Sequence, residues 1–247
     1  MDNPITLAVD VGGTGLKAAV LNSSGQLLHE RVRVPTTYPM EPGQLVERLH
    51  NLVAPVEHYD RVSVGFPGMV RDGKVLSAPH FVSPAGPGGK PSKQLTAAWS
   101  GYDLAAHIES KFGRPTRVAN DADVQGSAVV AGKGLEVVVT LGTGVGTATF
   151  LDGKLLPHFE FAHHPLRKSR TYNEVLGEAA RKKAGQGKWQ ERVAEAIDVI
   201  RALTFFDHLY LGGGNAARLT LRLPADVSLV DNSAGLLGGI RLWDRLG

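Results

Sequence analysis

Two segments of this chain share the same order of elements: a strand-like run, a glycine-rich turn and a second strand-like run. The first covers residues 10–17 (Asp-Val-Gly-Gly-Thr-Gly-Leu-Lys), and the second covers residues 141–147 (Leu-Gly-Thr-Gly-Val-Gly-Thr). A dinucleotide-binding glycine loop opens a helix and spaces its glycines differently, so we reject a Rossmann fold. Because one turn lies in each half of the chain, we expect two related lobes. Strand and helix signals are mixed around both turns, which predicts an α/β fold.

Each glycine turn is a candidate binding site for an anion. Glycine lets the backbone approach a ligand closely, and successive N–H groups can form a nest for a phosphate. In the first turn Thr14 adds a hydroxyl and Lys17 a cation, while Asp10 at a strand end is placed to hold a hydrated magnesium ion. The alternative is a hairpin whose glycines serve only its φ angles, and this turn by itself does not separate the two interpretations.

A polar pair lies where a third strand is predicted to end. Residues 115–119 are β-prone, and residues 124–130 suit a helix. Asn120 between them is a good N-cap, and Asp121 follows in the first helical turn, where the helix dipole favours a carboxylate. In α/β folds ligand-contacting groups lie at such strand ends. The alternative is a plain capped helix.

Three further segments are candidates for function. The strand at residues 208–211 enters Gly212-Gly213-Gly214, a turn suited to nucleotide phosphates or adenosine, with a helix expected after it. Glu160 and His163 lie in an irregular polar segment, where they either share a site or are solvated surface. The Pro-, Gly- and Ser-rich residues 83–93 form a long loop, which we expect to be a lid or a mobile segment.

Composition excludes several classes of protein. The 247 residues contain no cysteine, which excludes disulfides, thiolate zinc sites and a cysteine nucleophile. The net charge of +3 suits a small anionic substrate and is too weak to indicate nucleic acid. No apolar run approaches the roughly 20 residues that span a bilayer, and the N-terminus lacks the pattern of a signal peptide. We therefore expect a cytoplasmic enzyme that binds neither membranes nor nucleic acid.

Six motifs in a fixed order carry a resemblance to a known family. They are Asp-Val-Gly-Gly-Thr-Gly-Leu-Lys at 10–17, Gly-Phe-Pro-Gly at 65–68, Asn-Asp-Ala-Asp at 120–123, Leu-Gly-Thr-Gly-Val-Gly at 141–146, Glu-Phe-Ala-His at 160–163 and Leu-Gly-Gly-Gly at 211–214. This set resembles the ROK family of bacterial sugar kinases, within the actin-like ATPase superfamily. The absence of cysteine and the Gly-Lys-Trp at 187–189 look most like its polyphosphate glucokinase branch.

The resemblance implies an architecture and a reaction. The fold would be two actin-like, ribonuclease H-like lobes with mixed sheets and a central cleft. Residues 1–117 with 233–247 would form a small N-terminal lobe, and residues 118–232 a large C-terminal lobe. The reaction would transfer a phosphoryl group from polyphosphate or ATP to the 6-hydroxyl of glucose or mannose. Mg²⁺ but no zinc would be needed, and the chain would form a homodimer.

The resemblance also implies roles for individual residues. Asp121 would be the general base, and Asp10 would hold magnesium through water. The groups implied for the sugar are Gly68, Asn120, Asp121, Glu160, His163 and, by a looser match, Glu174. The groups implied for the phosphate donor are Asp10, Gly12, Gly13, Thr14, Lys17, Gly142, Thr143, Gly144, Gly213 and Gly214. Apart from the resemblance, five cations either guide a polyanionic donor or are solvated surface: Lys90, Lys93, Arg167, Lys168 and Arg170.

Three positions depart from the family pattern. Ala162 replaces a glycine, His80 replaces an asparagine in the sugar loop, and the loop at residues 83–93 is longer than in relatives. Two alternatives to a kinase remain open. A sugar-responsive repressor would carry a DNA-binding segment in front of the core, but here the first strand begins by Ile5. The other alternative is a sugar-binding protein without catalysis.

Overall fold

The computed structural model describes residues 3–56, 58–231 and 234–246. The chain divides into two compact units. The first unit comprises Met1–Ala128 and Gly235–Asp244, and the second comprises Val129–Ala234 and Arg245–Gly247. The junction of Asn120 and Asp121 therefore belongs to the first unit, whereas the sequence led us to assign residues 118–128 to the second lobe.

The first unit contains a five-stranded mixed sheet and a three-stranded antiparallel sheet. Its strands are β1 (Thr6–Val11), β2 (Gly15–Leu21), β3 (Val32–Pro35), β4 (Arg61–Phe66), β5 (Val70–Arg71), β6 (Lys74–Val75), β7 (Tyr102–Asp103) and β8 (Thr116–Asn120). Its first four helices are α1 (Pro42–Val53), α2 (Lys93–Trp99), α3 (Leu104–Phe112) and α4 (Asp121–Val129). The large sheet has the order β3-β2-β1-β4-β8, and the small one has the order β5-β6-β7.

The second unit contains a five-stranded mixed sheet and a two-stranded hairpin. Its strands are β9 (Leu135–Leu141), β10 (Val145–Leu151), β11 (Lys154–Leu155), β12 (Pro165–Arg167), β13 (Arg170–Thr171), β14 (His208–Gly212) and β15 (Val227–Leu229). Its helices are α5 (Tyr172–Leu176), α6 (Glu178–Ala184) and α7 (Gln186–Thr204). The large sheet has the order β11-β10-β9-β14-β15, and β12 pairs with β13.

The two large sheets are built in the same way. In each, an antiparallel meander of three strands is followed across the sheet by two strands parallel to the first, so β1 corresponds to β9 and β2 to β10. Both glycine turns consequently connect the first two strands of their sheet. The repeated strand order confirms the prediction of two related lobes.

The predicted long helices are present because their apolar residues recur on one face. The sequence predicts a helix over residues 43–56, and α1 spans Pro42–Val53 with Leu45, Leu49 and Leu52 buried. The predicted helix at residues 188–206 is α7, which buries Val193, Ile197 and Ile200. Burying these faces beneath the sheets stabilises each unit by the hydrophobic effect.

Three local predictions were wrong. The single helix expected over residues 173–183 is divided at Gly177, where a Cβ would lie 2.7 Å from the carbonyl oxygen of Thr143. The helix expected after Gly214 is only one 3₁₀ turn, Ala216–Arg218. The third strand, expected over residues 26–34, forms only at β3. Ser233, the expected start of the last helix, lies outside the described residues.

The C-terminal helix α8 (Ala234–Arg245) packs through Trp243 on residues of the first unit. The indole N–H donates to Ser63 Oγ at 2.8 Å, and the guanidinium groups of Arg61 and Arg117 lie 5.0 and 4.6 Å from the ring centroid. Ser63 Oγ in turn donates to the carbonyl of Gly239. In the described parts of the chain, no helix combines the length and the apolar character needed to cross a membrane.

Candidate active site

The predicted cap at the end of β8 is present, and it also anchors a second predicted segment. Asn120 Oδ1 accepts a 2.8 Å hydrogen bond from the N–H of Ala122, which satisfies one of the unpaired donors at the start of α4. The Nδ2 of the same side chain donates to the carbonyl of Gly68 at 3.0 Å. Asn120 is only 4% exposed, so this amide fixes the turn that carries Gly68 beside the strand end.

Asp121 begins α4 directly after the strand. Its Oδ1 accepts from the N–H of Ala122 at 2.8 Å, and its side chain is half-buried. A Cβ built on Gly65 of the neighbouring strand would lie 3.6 Å from the Cα of Asp121, so this strand and the helix start are in close contact. The N–H groups and dipole of a helix start favour the ionised carboxylate, which is the form that can accept a proton.

The first glycine turn presents its N–H groups because its carbonyls are bonded elsewhere. The carbonyl of Gly12 accepts from Thr36 Oγ1, and that of Gly13 accepts from Tyr38 Oη, each at 2.6 Å. Within residues 3–56 and the other described ranges, the N–H groups of Gly13 and Thr14 donate to no protein acceptor. This arrangement of free donors suits an anion. Sequence reasoning missed Thr36 and Tyr38, which have no motif around them.

Asp10 and Lys17 lie opposite each other on β1 and β2. Lys17 Nζ is 2.8 Å from Asp10 Oδ2, and about half of each side chain is exposed. A single partly exposed carboxylate fits Mg²⁺, which usually retains several waters and binds one or two carboxylates together with substrate phosphates. Among the residues with described positions, no cluster of three His, Asp or Glu side chains that could hold a metal ion is found.

In the second unit, the two predicted phosphate turns lie against each other. Asn215 donates from its N–H to the carbonyl of Leu141 at 2.9 Å, and from Nδ2 to the carbonyl of Gly142 at 3.0 Å. Gly213 has φ +86°, and a Cβ there would lie 2.4–2.8 Å from the backbone of Leu141. Only glycine allows this approach, which brings the turn of Gly213 and Gly214 against the turn at residues 142–144.

Two more residues fix the second glycine turn through hydrogen bonds to its backbone. Asn173 Oδ1 accepts from the N–H of Val145 at 2.6 Å. The N–H of Glu178 donates to the carbonyls of Gly142 and Thr143 at 3.0 and 3.2 Å. The carboxylate of Glu178 pairs with Arg181 at 2.8 and 2.9 Å, and hydrogen bonds from Arg181 lower the pKa of Glu178 to about 2. The sequence motifs did not single out Asn173 or Glu178.

Glu160 and His163 lie on one 3₁₀ turn in the second unit. Glu160 Oε2 is 3.7 Å from Nε2 of the buried His158, and the His163 side chain is exposed. Glu174 lies on α5, where its carboxylate accepts from the N–H of Thr171 at 2.8 Å in a capping box. That hydrogen bond lowers the pKa of Glu174, and it gives this side chain a structural task at the helix start.

A separate surface pocket of about 450 Å³ is lined by none of the predicted site residues. It belongs to the first unit and includes alternate residues of the segment whose Thr36 and Tyr38 bond the glycine turn. It is lined by Thr37, Pro39, Met40, Gly43, Gln44, Glu47 and Arg48.

Comparison with solved structures identifies the fold. The structure superposes on an inorganic polyphosphate/ATP-glucomannokinase from Arthrobacter sp. strain KM with a TM-score of 0.77 and 28% identity, covering 98% of this chain and 100% of that chain. It also matches a ROK family glucokinase from Streptomyces griseus in fold, with a TM-score of 0.68, 19% identity and coverage of 96% and 98%. The fold is the actin-like α/β fold of the ROK sugar kinases.

Sequence comparison identifies the family. The family model described as ROK family matches residues 6–158, and the chain belongs to the ROK family. It is 27% identical to the polyphosphate glucokinase of Mycobacterium tuberculosis over 256 aligned positions, covering 93% of this chain and 88% of that protein. It is 34% identical over 158 positions to the N-acetylmannosamine kinase of Escherichia fergusonii, covering 61% of this chain and 49% of that protein.

Proposed function

We propose that this protein is a hexose kinase that transfers a phosphoryl group from polyphosphate or ATP to the 6-hydroxyl of glucose or mannose. The observation that carries the proposal is the junction of β8 and α4. There Asp121 begins a helix beside an amide, Asn120, that is bonded to Gly68. The relatives named polyphosphate glucokinase and polyphosphate/ATP-glucomannokinase support the class of reaction.

The proposed mechanism assigns proton transfer to Asp121. Its carboxylate accepts the proton of the sugar 6-hydroxyl as that oxygen attacks the terminal phosphorus of the donor. Asn120, Gly68, Glu160 and His163 hold the other hydroxyls, with Glu174 as the weakest candidate because it caps α5. Phosphoryl transfer needs mainly positioning and charge stabilisation, so a single well-placed base is sufficient.

The glycine turns are proposed to hold the donor phosphates. In the first unit, the N–H groups of Gly13 and Thr14 and the ammonium of Lys17 bind phosphate oxygens. Asp10 would hold Mg²⁺ through water, and that ion would neutralise charge on the phosphates. In the second unit, the turns at residues 142–144 and at Gly213 and Gly214 take the same kind of ligand.

The choice between polyphosphate and ATP depends on how many cations are available to a long polyanion. Two of the five candidate cations already have partners, because Arg167 pairs with Glu195 at 3.3 Å and Arg170 bonds the carbonyl of Glu174. Lys168 lies at the tip of the β12–β13 hairpin with φ +49° and is exposed. ATP is therefore kept as an equal candidate beside polyphosphate. Dependence on Mg²⁺, homodimer formation and a cytoplasmic location stay predictions.

A coupled assay with both donors tests the proposal. Glucose, mannose and N-acetylmannosamine are each incubated with ATP or with polyphosphate, and hexose 6-phosphate is measured. We expect product from glucose or mannose with at least one donor. Absence of sugar-dependent product with either donor would exclude the kinase. Calorimetric binding of sugar in that case would support the alternative, a ROK-type sugar-binding regulator without catalysis.

A further inference from the structure

His80 lies against the first glycine turn. A Cβ built on Gly13 would be 3.4 Å from both Cγ and Nδ1 of His80, and 3.0 Å from Cγ of Pro87. The imidazole and Pro87 therefore lie against Gly13, in the turn whose free N–H groups are the proposed phosphate ligands. Pro87 belongs to the loop at residues 83–93, which the sequence predicts to be a lid or a mobile segment, and it brings this loop against the first glycine turn.

The residues that precede His80 are attached to the backbone proposed to face the sugar. A Cβ on Gly68 would lie 2.2 Å from the carbonyl oxygen of Ser77, so the two backbones are in direct contact. The N–H of Met69 also donates to Ser77 Oγ at 3.3 Å. Because Asn120 bonds Gly68, the backbone of Ser77 is linked to the Asp121 helix start through two contacts.

Phe81 fixes the other side of His80. It is fully buried, with its ring centroid 6.1 Å from Tyr38 and 5.7 Å from Phe66. Tyr38 is the residue that bonds the carbonyl of Gly13. The chain on either side of His80 is thus held, before it by the contact of Ser77 with Gly68 and after it by the packing of Phe81 on Tyr38, and the imidazole itself lies against Gly13.

The environment of the ring selects one tautomer. Nδ1 is enclosed and has no hydrogen-bond partner in the described ranges, whereas Nε2 is not enclosed. Burial lowers the pKa of His80, so the ring is neutral near neutral pH. Orphaned buried N–H groups are rarer than unpaired acceptors. The proton is therefore expected on Nε2, leaving only a lone pair at the enclosed nitrogen.

We propose that His80 contacts the transferred phosphoryl group, donating a hydrogen bond from Nε2–H to one of its anionic oxygens. The Nε2–H group compensates negative charge that develops on the phosphoryl oxygens during transfer. Because the ring is neutral, it adds no positive charge that would compete with Mg²⁺. This inference rests on the proposed function. It assigns to His80 a partner on the donor, although the family places an asparagine of the sugar loop at this position.

Steady-state kinetics separate this role from a sugar contact. We expect His80→Ala to lower kcat about tenfold to hundredfold, with the sugar KM within about twofold of the parent. His80→Gln, whose amide nitrogen reaches the position of Nε2, should recover more activity than His80→Asn. A raised sugar KM at unchanged kcat, or better recovery by Asn than by Gln, would overturn the proposal. The matched control is His58→Gln, at an exposed histidine beside Asp60.

Imidazole ¹⁵N spectra give a readout that does not depend on turnover. The His80 signals are assigned by their loss in His80→Gln, which must first show an unfolding midpoint like that of the parent. We expect the Nε2–H tautomer and a shift of Nε2 on addition of tripolyphosphate or of a non-hydrolysable ATP analogue. The probe that produces the shift identifies the type of donor. The other tautomer, or no shift at saturation with both probes, would overturn the contact even if the kinase assay succeeds. A shift in a protein without turnover would retain the contact and refute only the kinase.

Discussion

Asn120 donates a 3.0 Å hydrogen bond from its side-chain amide to the carbonyl of Gly68, 52 residues earlier in the chain. The other end of the same amide caps the helix that begins with Asp121. One buried side chain therefore joins two motifs that the sequence shows only as separate segments. Its position sets both the backbone proposed to face the sugar and the proposed base.

Replacing Asn120 tests this junction. Asn120→Ala leaves the carbonyl of Gly68 and the N–H of Ala122 without their partners in a buried place. We expect the free energy of unfolding to fall by about 1–3 kcal/mol and the sugar KM to rise. Urea unfolding and the donor assay measure the two effects. The control is Asn51→Ala, on the exposed face of α1, which should lower neither the free energy of unfolding nor the affinity for sugar. An equal loss in both variants would contradict the role given to Asn120.

Asp121→Asn tests the proposed base. The amide retains the size of the side chain but cannot accept the proton, so we expect a loss of about 10²- to 10⁴-fold in kcat with little change in the sugar Kd. Calorimetry measures the sugar Kd, and the coupled assay measures kcat. The matched control is Asp72→Asn at an exposed hairpin position with φ +49°, which asparagine adopts readily. Turnover near that of the control would refute the role of Asp121.

Tyr38→Phe tests the orientation of the first glycine turn. The substitution keeps the ring on Phe81 but removes the hydrogen bond to the carbonyl of Gly13. We expect a cost of about 1 kcal/mol in stability and a higher KM for the donor, because the freed peptide can rotate its N–H away from the phosphate. Kinetics at varied donor concentration measure this. The result expected for Tyr59→Phe, outside the turn, is an unchanged donor KM.

Gly213→Ala tests the close approach of the two turns in the second unit. A Cβ would meet the backbone of Leu141 at 2.4–2.8 Å, and φ is +86°. We expect a loss of at least about 2 kcal/mol, together with weaker donor binding. Gly187→Ala is the matched control, because its Cβ would meet nothing within 4 Å in helix α7. That control should be neutral or stabilising. Similar unfolding of both variants would contradict the packing argument.

The lowered pKa of Glu178 predicts that the stability of the fold depends on pH in the acid range. Its pKa is lowered from 4.5 to about 2, chiefly by hydrogen bonds from Arg181. A group whose pKa is lower in the folded chain stabilises fully above its unfolded pKa, and this contribution is lost as the pH falls through the folded pKa. The parent should therefore lose stability between about pH 5 and about pH 2, and Glu178→Gln should lose less. Urea midpoints across this range, with the exposed Glu191→Gln as control, measure the difference. An identical pH profile for the parent and Glu178→Gln would contradict it.

Much of the fold follows from rules that act over a few residues. The alternation of strands with glycine turns predicted two related sheets, and the apolar spacing predicted α1 and α7 close to their observed limits. Asn120 was predicted as a cap because capping is local. The failures arise where a contact between residues distant in sequence overrides local propensity. The helix over residues 173–183 was predicted from propensity, but Gly177 divides it because its backbone lies against Thr143, about 34 residues away.

The sequence by itself determined the family, the order of the motifs and the candidate residues within each motif. The tertiary structure alone decided which side chains support them. Thr36 and Tyr38 hold the first glycine turn, Asn173, Glu178 and Asn215 hold the second, and His80 lies against Gly13. None of these contacts has a fixed spacing along the chain. They arise because strands and loops distant in sequence must pair their polar backbone groups once these leave water, and only the folded chain shows which partners meet.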